Sequence, residues 1–306
     1  MKIERLPRNP IITQEMHASL GNNIDGPSLI RVPPWVPDPL GRYYLYFAHH
    51  NGGGIRLAYA DAVEGPWRIH APGVLPLERS TCTDHVASPD VHVDEERREI
   101  LMYFHGVAFP RGQTDGHEQL FGAAGRWIGN QRTKLAVSRD GLDFRADPRP
   151  LGASYLRAFR WDGWTYALAM PGVFYRSRGG RGGFEPGPIL FDAAFRHCAV
   201  RVLGHTLHVL FTRAGDAPES ILHATVDLRG NWREWRANEP QVVLRPEQPW
   251  EGAGLPVQPS ARGPVFDPVR ALRDPALFFE DGRSYLLYAA AGEQAIAIAA
   301  IVDWDE

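Results

Sequence analysis

The chain is short of cysteine. Cys82 and Cys198 are the only two among 306 residues, which excludes a disulfide-stapled scaffold and a four-cysteine zinc site. They read as two small buried residues. No uninterrupted run reaches the ~18 apolar residues of a membrane-spanning helix. The start, MKIERLPRNPII, has no apolar core of a secretory signal; a cytoplasmic location without membrane partners is the expectation. Charge of one sign is also missing. The formal net charge is -3, and Lys and Arg are scattered, so there is no basic stripe for nucleic acid. No HExxH or comparable tight ligand spacing marks a zinc centre. Sustained helical periodicity is absent as well.

Aromatics and turn formers are abundant. Nine Trp, ten Tyr and fourteen Phe accompany 31 Gly and 26 Pro, the composition of many short strands joined by tight turns. Three segments share one pattern: NIDGPSLIRV (23–32), HVASPDVHVD (85–94) and RDPALFFEDG (273–282). Each sets a carboxylate and a proline at the mouth of an apolar run, where proline fits the first residue or edge of a strand. Pro27 and Pro89 are 62 residues apart, and Pro275 lies four such intervals beyond Pro27. Units three and four are then expected to open near 154–163 and 196–204, without proline.

Two further counts agree. Aromatic-rich second strands recur at 42–50, 99–107, 163–170, 205–213 and 283–292, each followed by a third strand. Short apolar pieces precede each unit at 8–13, 72–77, 148–153, 186–191 and 239–244. Repeated four-stranded units around an axis make a β-propeller. The expectation is all-β: one five-bladed propeller domain over 1–306, with the N-terminal segment closing the last blade. Two insertions, 106–131 and 245–272, break the period; segments this long often serve as lids or binding loops.

First strands begin, and second strands end, at the same rim. That step groups Asp25, His49, His50, His85, Asp90, His105, Arg157, His197, Arg213, Arg273, Asp274 and Glu293 on one face. A funnel of Asp, His and Arg suits a hydroxyl-rich small molecule. Paired carboxyls are what glycosidic cleavage needs, one activating water and one protonating the leaving oxygen. Trp35, Trp127 and Trp250 are candidates to stack on sugar faces. Each Asp beside Pro or Gly also reads as a turn former, and AHHNGG as a polar hairpin.

The chain resembles glycoside hydrolase family 43, the five-bladed propeller glycosidases of arabinan, xylan and related glycans. ASPDVHVD followed by ILMYFHG, DGPSLIRV followed by RYYLYFAHH, and RLAYADAVEGPW carry the resemblance. It implies an exo-acting, inverting hydrolase of small oligosaccharides or glycosides of arabinose, xylose or galactose type. Asp25 would be the general base, and Asp90 the carboxylate that tunes the acid. The family's acid is a Glu opening a later first strand, and SYLRAF in unit three has none. The acid therefore stays open among Glu251, His197 and Asp274, with Glu251 favoured because an insertion can bring a carboxyl over the funnel. His49, His50, His85, His105, Arg157, His197, Arg213, Arg273 and Asp274 would contact substrate. No cofactor is required on this reading. A divalent metal on the axis, held by rim histidines in a metal-dependent hydrolase or lyase, is one alternative. A carbohydrate-binding propeller without catalysis is another.

Overall fold

The computed structural model describes residues 1–304 except Asn51 and Arg111. Five antiparallel sheets succeed one another along the chain. Blade one holds strands Asp25–Arg31, Tyr43–Ala48, Gly54–Ala60 and Arg68–Pro76. Blade two holds Val86–Asp94, Glu99–Val107, Gln131–Ser138 and Arg145–Ala146. Blades three and four open at Arg157–Trp161 and Phe195–Leu203, the first inside the window the spacing gives and the second starting one residue ahead of its window. Blade five holds Leu272–Glu280, Arg283–Ala290 and Ala295–Asp303. Its fourth strand is Lys2–Arg5, paired antiparallel to the last strand of the chain. Ile12–Thr13 adds two more pairs to that same strand. The ring is closed by its own N-terminal segment.

The aromatic second strands explain the cohesion. Each lies mid-blade, so successive side chains point into two different inter-blade cores. Tyr43, Leu45 and Phe47 pack toward blade five, whereas Tyr44, Tyr46 and Ala48 pack toward blade two. Ile100, Met102 and Phe104 face blade one, and Leu101 and Tyr103 face blade three. Five such apolar clusters fill the five gaps between blades. This is why the strands read as near-continuous apolar runs.

The proline mouths differ in one detail from the sequence expectation. Pro27, Pro89 and Pro275 sit within the first strand, at a bulge, not at its first residue. The register slips between Asp25 and Ser28, between Ala87 and Asp90, and between Arg273 and Ala276. The residue before each proline is left-handed: Gly26 at φ 57°, Ser88 at 48° and Asp274 at 47°. The innermost strand has no partner on its axial side, so the missing proline N–H costs no ladder bond. Glycine is required at position 26, because a Cβ there would lie 2.7 Å from the Ser88 Cα.

Both insertions are tied down. The first carries a 3-10 run over His117–Trp127 and is anchored by the buried Arg132, which pairs with Asp115 at 2.6 Å and Glu118 at 3.0 Å. The second forms a strap over blades four and five: the Gly215 N–H donates to the Ser260 carbonyl, and the Ser260 N–H donates to the Asp216 carbonyl. No described helix is long and apolar enough to cross a membrane.

Removing residues 1–7 strips the closing strand from blade five and leaves an unpaired edge at Ala299–Asp303. A thermal midpoint lower by about 5–10 °C is expected for the loss of a few kcal/mol in a chain of this length. Calorimetry checks this, and an unchanged midpoint would contradict closure by the N-terminal strand.

Candidate functional site

One end of the axis is lined by ionisable groups that are almost wholly buried. Asp25, Asp274, Glu293 and Glu219 have no exposed surface; Arg273, His105 and His197 are 1–2% exposed. Asp25 enters from the first strand of blade one, and Arg273 and Asp274 from that of blade five. His50 and Glu293 come from the turns between second and third strands of blades one and five, and Glu219 from the turn before Ile221–Asp227 in blade four. Turns at this end deliver side chains as readily as strand mouths do.

The charges divide into two sets. Arg273 satisfies the first. Its Nε donates to Glu219 at 2.9 Å, and one terminal nitrogen donates to Glu293 at 2.9 Å. The carbonyls of Gly263 and Ala261 on the strap accept its remaining bonds at 3.2 Å. Glu293 also accepts from Asn23 at 2.5 Å and from the Val265 N–H. Its carboxyl is held well below the usual range: burial opposes this, but His50 and Arg273 outweigh it.

The second set is unsatisfied. Neither oxygen of Asp25, nor of Asp274, receives a hydrogen bond of good geometry. Burial raises the Asp25 pKa, and the charges of Asp274 and Glu293 add to it against the pull of His50. Burial and the Glu293 charge lift Asp274 to about 6. The His50 Nδ1 stands 3.2 Å from Asp25 and 3.3 Å from Glu293. Burial disfavours its charge, yet those two carboxylates hold its pKa up to about 10. The His197 Nδ1 lies 2.7 Å from an Asp274 oxygen, a separation that needs a hydrogen between them. His105 and His197 are held neutral, first by burial and then by neighbouring positive charge.

The structure therefore brings Asp25, His50, His85, His105, His197, Arg273 and Asp274 together. His85 stacks on His50 at 6.5 Å and meets His105 edge-on at 6.2 Å. Other expected residues lie elsewhere. His49 turns outward against Phe266. Arg213 pairs with Asp216 at the rim. Arg157 donates to the carbonyls of Cys198 and Pro89, leaving one terminal nitrogen unbonded. Asp90 stands one step further down the channel, level with Ser28 and not with Asp25. It accepts from His92 at 2.8 Å and from the Ala158 N–H at 2.9 Å, on the wall of a cavity of about 420 Å³.

Glu251 corrects the favoured choice of acid. Its carboxylate is wholly buried between blades four and five, where it accepts from Arg5 at 2.8 and 2.9 Å, Tyr288 at 2.8 Å, and two backbone N–H groups. No lone pair is left for chemistry. Trp35 donates to Glu95, and Trp250 packs on Tyr288, both away from the mouth. The side chain of Trp127 lies outside the described residues.

No protein-family model matches the chain. The uncharacterized protein R118 of Acanthamoeba polyphaga mimivirus is 34% identical, aligned over 96% of this chain and 89% of its own. The chain belongs to the family of that mimivirus protein. Among solved structures it is similar to a GH43_1 enzyme from Xanthomonas citri, with TM-score 0.59 and 12% identity over 91% of this chain and 87% of the other. It is also similar to a GH43 β-xylosidase/α-arabinofuranosidase from a compost metagenome, with TM-score 0.59 and 12% identity over 97% and 93%. An exo-1,5-α-L-arabinanase from a bovine ruminal metagenome gives TM-score 0.58 and 11% identity over 93% and 94%. These likenesses show the fold of this family: a five-bladed propeller of the glycoside hydrolase family 43 type.

Four members of the site escaped the strand-mouth reasoning: Glu219, Asn23, Arg196, which donates to the Ala261 carbonyl at 3.0 Å and lies 3.5 Å from Glu219, and Tyr155, whose ring centroid lies 4.4 Å from that of His197. Glu219 had a legible signal, because third strands start at the rim where second strands end, and Pro218–Glu219 precedes one.

Two predictions follow from the charge division. Glu251→Ala leaves Arg5 and Tyr288 facing a void and is expected to cost about 3 kcal/mol, read from urea denaturation; activity lost at full stability would instead restore it as the acid. Asp274 has a pKa raised above its unfolded value of 3.8. The native state then holds its proton more tightly, so stability falls as pH rises from about 4 to about 6 and levels off above. Asp274→Asn is expected to flatten that slope, and an unaltered slope would contradict the assignment.

Proposed function

We propose that the protein is a glycoside hydrolase, with Asp25 as the base that activates water and Asp274 as the acid that protonates the leaving oxygen. One observation carries the reading: two wholly buried carboxyls, Asp25 and Asp274, each with one imidazole as its nearest side-chain partner, face one axial site in a family-43-type propeller. A buried carboxyl with one imidazole neighbour still has lone pairs to satisfy, and a ligand can supply the donors. Sugar hydroxyls do. The lifted Asp274 keeps its proton up to about pH 6, above the ordinary aspartate value of 3.8, as an acid catalyst must. Asp25 and Asp274 repel each other, which favours one protonated and one ionised member. Base and acid in one step give inversion. Arg273 spends four of its N–H donors on Glu219, Glu293 and the strap, which leaves little for an acidic sugar. A neutral glycosyl unit, of the arabinose, xylose or galactose type, is the substrate class.

The test is turnover of aryl glycosides and short oligosaccharides. Asp25→Asn is expected to lower kcat by roughly 10³-fold. Asp274→Asn is expected to hurt poor leaving groups far more than activated aryl ones. In the wild type the rate is expected to fall above pH about 6, as Asp274 loses its proton. No turnover of any glycoside would defeat the reading.

A second reading rests on Asp25, His50 and Glu293, whose ligand atoms all lie within 4.8 Å of one another. The unbonded oxygens of Asp25 fit a divalent cation, which would polarise a bound oxygen there. In that case the rim histidines serve a metal-dependent hydrolase or lyase. Loss of activity on chelation, restored by a divalent cation, would favour it; indifference to chelator would exclude it.

A further inference from the structure

Blade three brings no carboxylate to the mouth. What it presents there is Tyr155, at the turn into Arg157–Trp161. Its backbone is left-handed, with φ 60°, a conformation that is costly for a bulky residue and that clusters at functional sites. Its ring is clamped between two imidazoles. His105 lies 4.2 Å away, centroid to centroid, and His197 lies 4.4 Å away. The residue is 4% exposed, and its hydroxyl makes no hydrogen bond of good geometry, with the Ser88 side chain as its polar neighbour in reach. That hydroxyl lies in the field of Asp274 and Asp25. Ser88 is itself left-handed and its hydroxyl unbonded.

Packing alone does not account for the hydroxyl. A phenylalanine would fill the same clamp without a buried polar atom lacking a partner. Four blades also use a left-handed residue at this level: Gly26, Ser88, Tyr155 and Asp274. The position aims a group at the axis, and in blade three that group is a phenol.

We propose that the Tyr155 hydroxyl is a substrate-contacting hydrogen-bond donor, set beside Asp25 and Asp274 to hold an oxygen of a hydroxyl-rich ligand. The chemistry is complementary. A sugar hydroxyl donates once and accepts twice. It gives its proton to a carboxylate and accepts one from a phenol that stays protonated. His105 and His197 act through Tyr155 as positioning residues, because neutral imidazoles on both faces fix the ring. This extends the glycosidase reading to a residue that neither strand-mouth pattern nor acidity points to, and it rests on that reading.

Tyr155→Phe tests it in the full chain, with the aryl glycoside that the wild type turns over. The expected result is a fall in kcat/KM of roughly 10²-fold, the effect of removing one oriented donor, with a thermal midpoint unchanged or higher. Unaltered kinetics would overturn the proposal. So would a lowered midpoint or failure to fold, since an unbonded hydroxyl is not needed for the fold. If the wild type turns over no glycoside, the glycosidase reading falls separately. Calorimetric titration with polyhydroxylated cyclic amines, which carry sugar-like hydroxyls, then decides for Tyr155. Binding at least tenfold weaker in Tyr155→Phe sustains a ligand-contacting hydroxyl. Equal binding, or none in the wild type, overturns it.

Discussion

The arrangement at the mouth depends on one buried guanidinium. Arg273 is 1% exposed and bridges Glu219 to Glu293, while its other nitrogens hold the strap at Ala261 and Gly263. Without it, four carboxyls would crowd a site of low dielectric, and protonation would follow. With it, two are neutralised and pinned. The remaining two, Asp25 and Asp274, stand at the axis with His50 and His197 beside them. Arg273 thus commits its donors within the protein and settles which carboxyls remain at the axis. The same bonds fix the second insertion across blades four and five, so the strap and the charge network form one unit.

The backbone contributes a second constraint. An innermost strand must turn away from the axis yet still aim a side chain at it. The bulge with a left-handed residue before proline solves this in blades one, two and five. Blade one places Gly26 at the left-handed position, because Ser88 of blade two comes too close for any side chain. Its carboxyl is consequently carried one residue earlier, on Asp25. Blade five has no such crowding and carries Asp274 at the left-handed position itself. Two acids reach one site from different register positions, which is the physical reason that Asp-Gly-Pro and Asp-Pro both occur.

Much of the fold was legible because a propeller repeats. The 62-residue interval, the aromatic second strands and the apolar linkers each report one strand type per blade, and a mid-blade strand must be apolar on both faces. Rim assignment from strand direction found Asp25, His50, His85, His105, His197, Arg273 and Asp274. It failed where the bulge shifts register: Asp90 looks like a mouth residue but sits a step below, bonded to His92 and Ala158. It failed at Glu251 because a carboxyl in an insertion carries no sign of where it points, and Arg5, its partner, is 246 residues away. Tyr155 was invisible because a tyrosine in an aromatic-rich chain looks like core until its φ and its unbonded hydroxyl are known.

The most direct measurement is a crystal structure of Asp25→Asn soaked with a glycoside that the wild-type protein turns over. The account places the glycosyl ring at the axial mouth, with its hydroxyls on the side chain at position 25, Asp274 and Tyr155, and the glycosidic oxygen beside Asp274. A ring bound elsewhere, for example in the channel beside Asp90, with the mouth filled only by water, would contradict it.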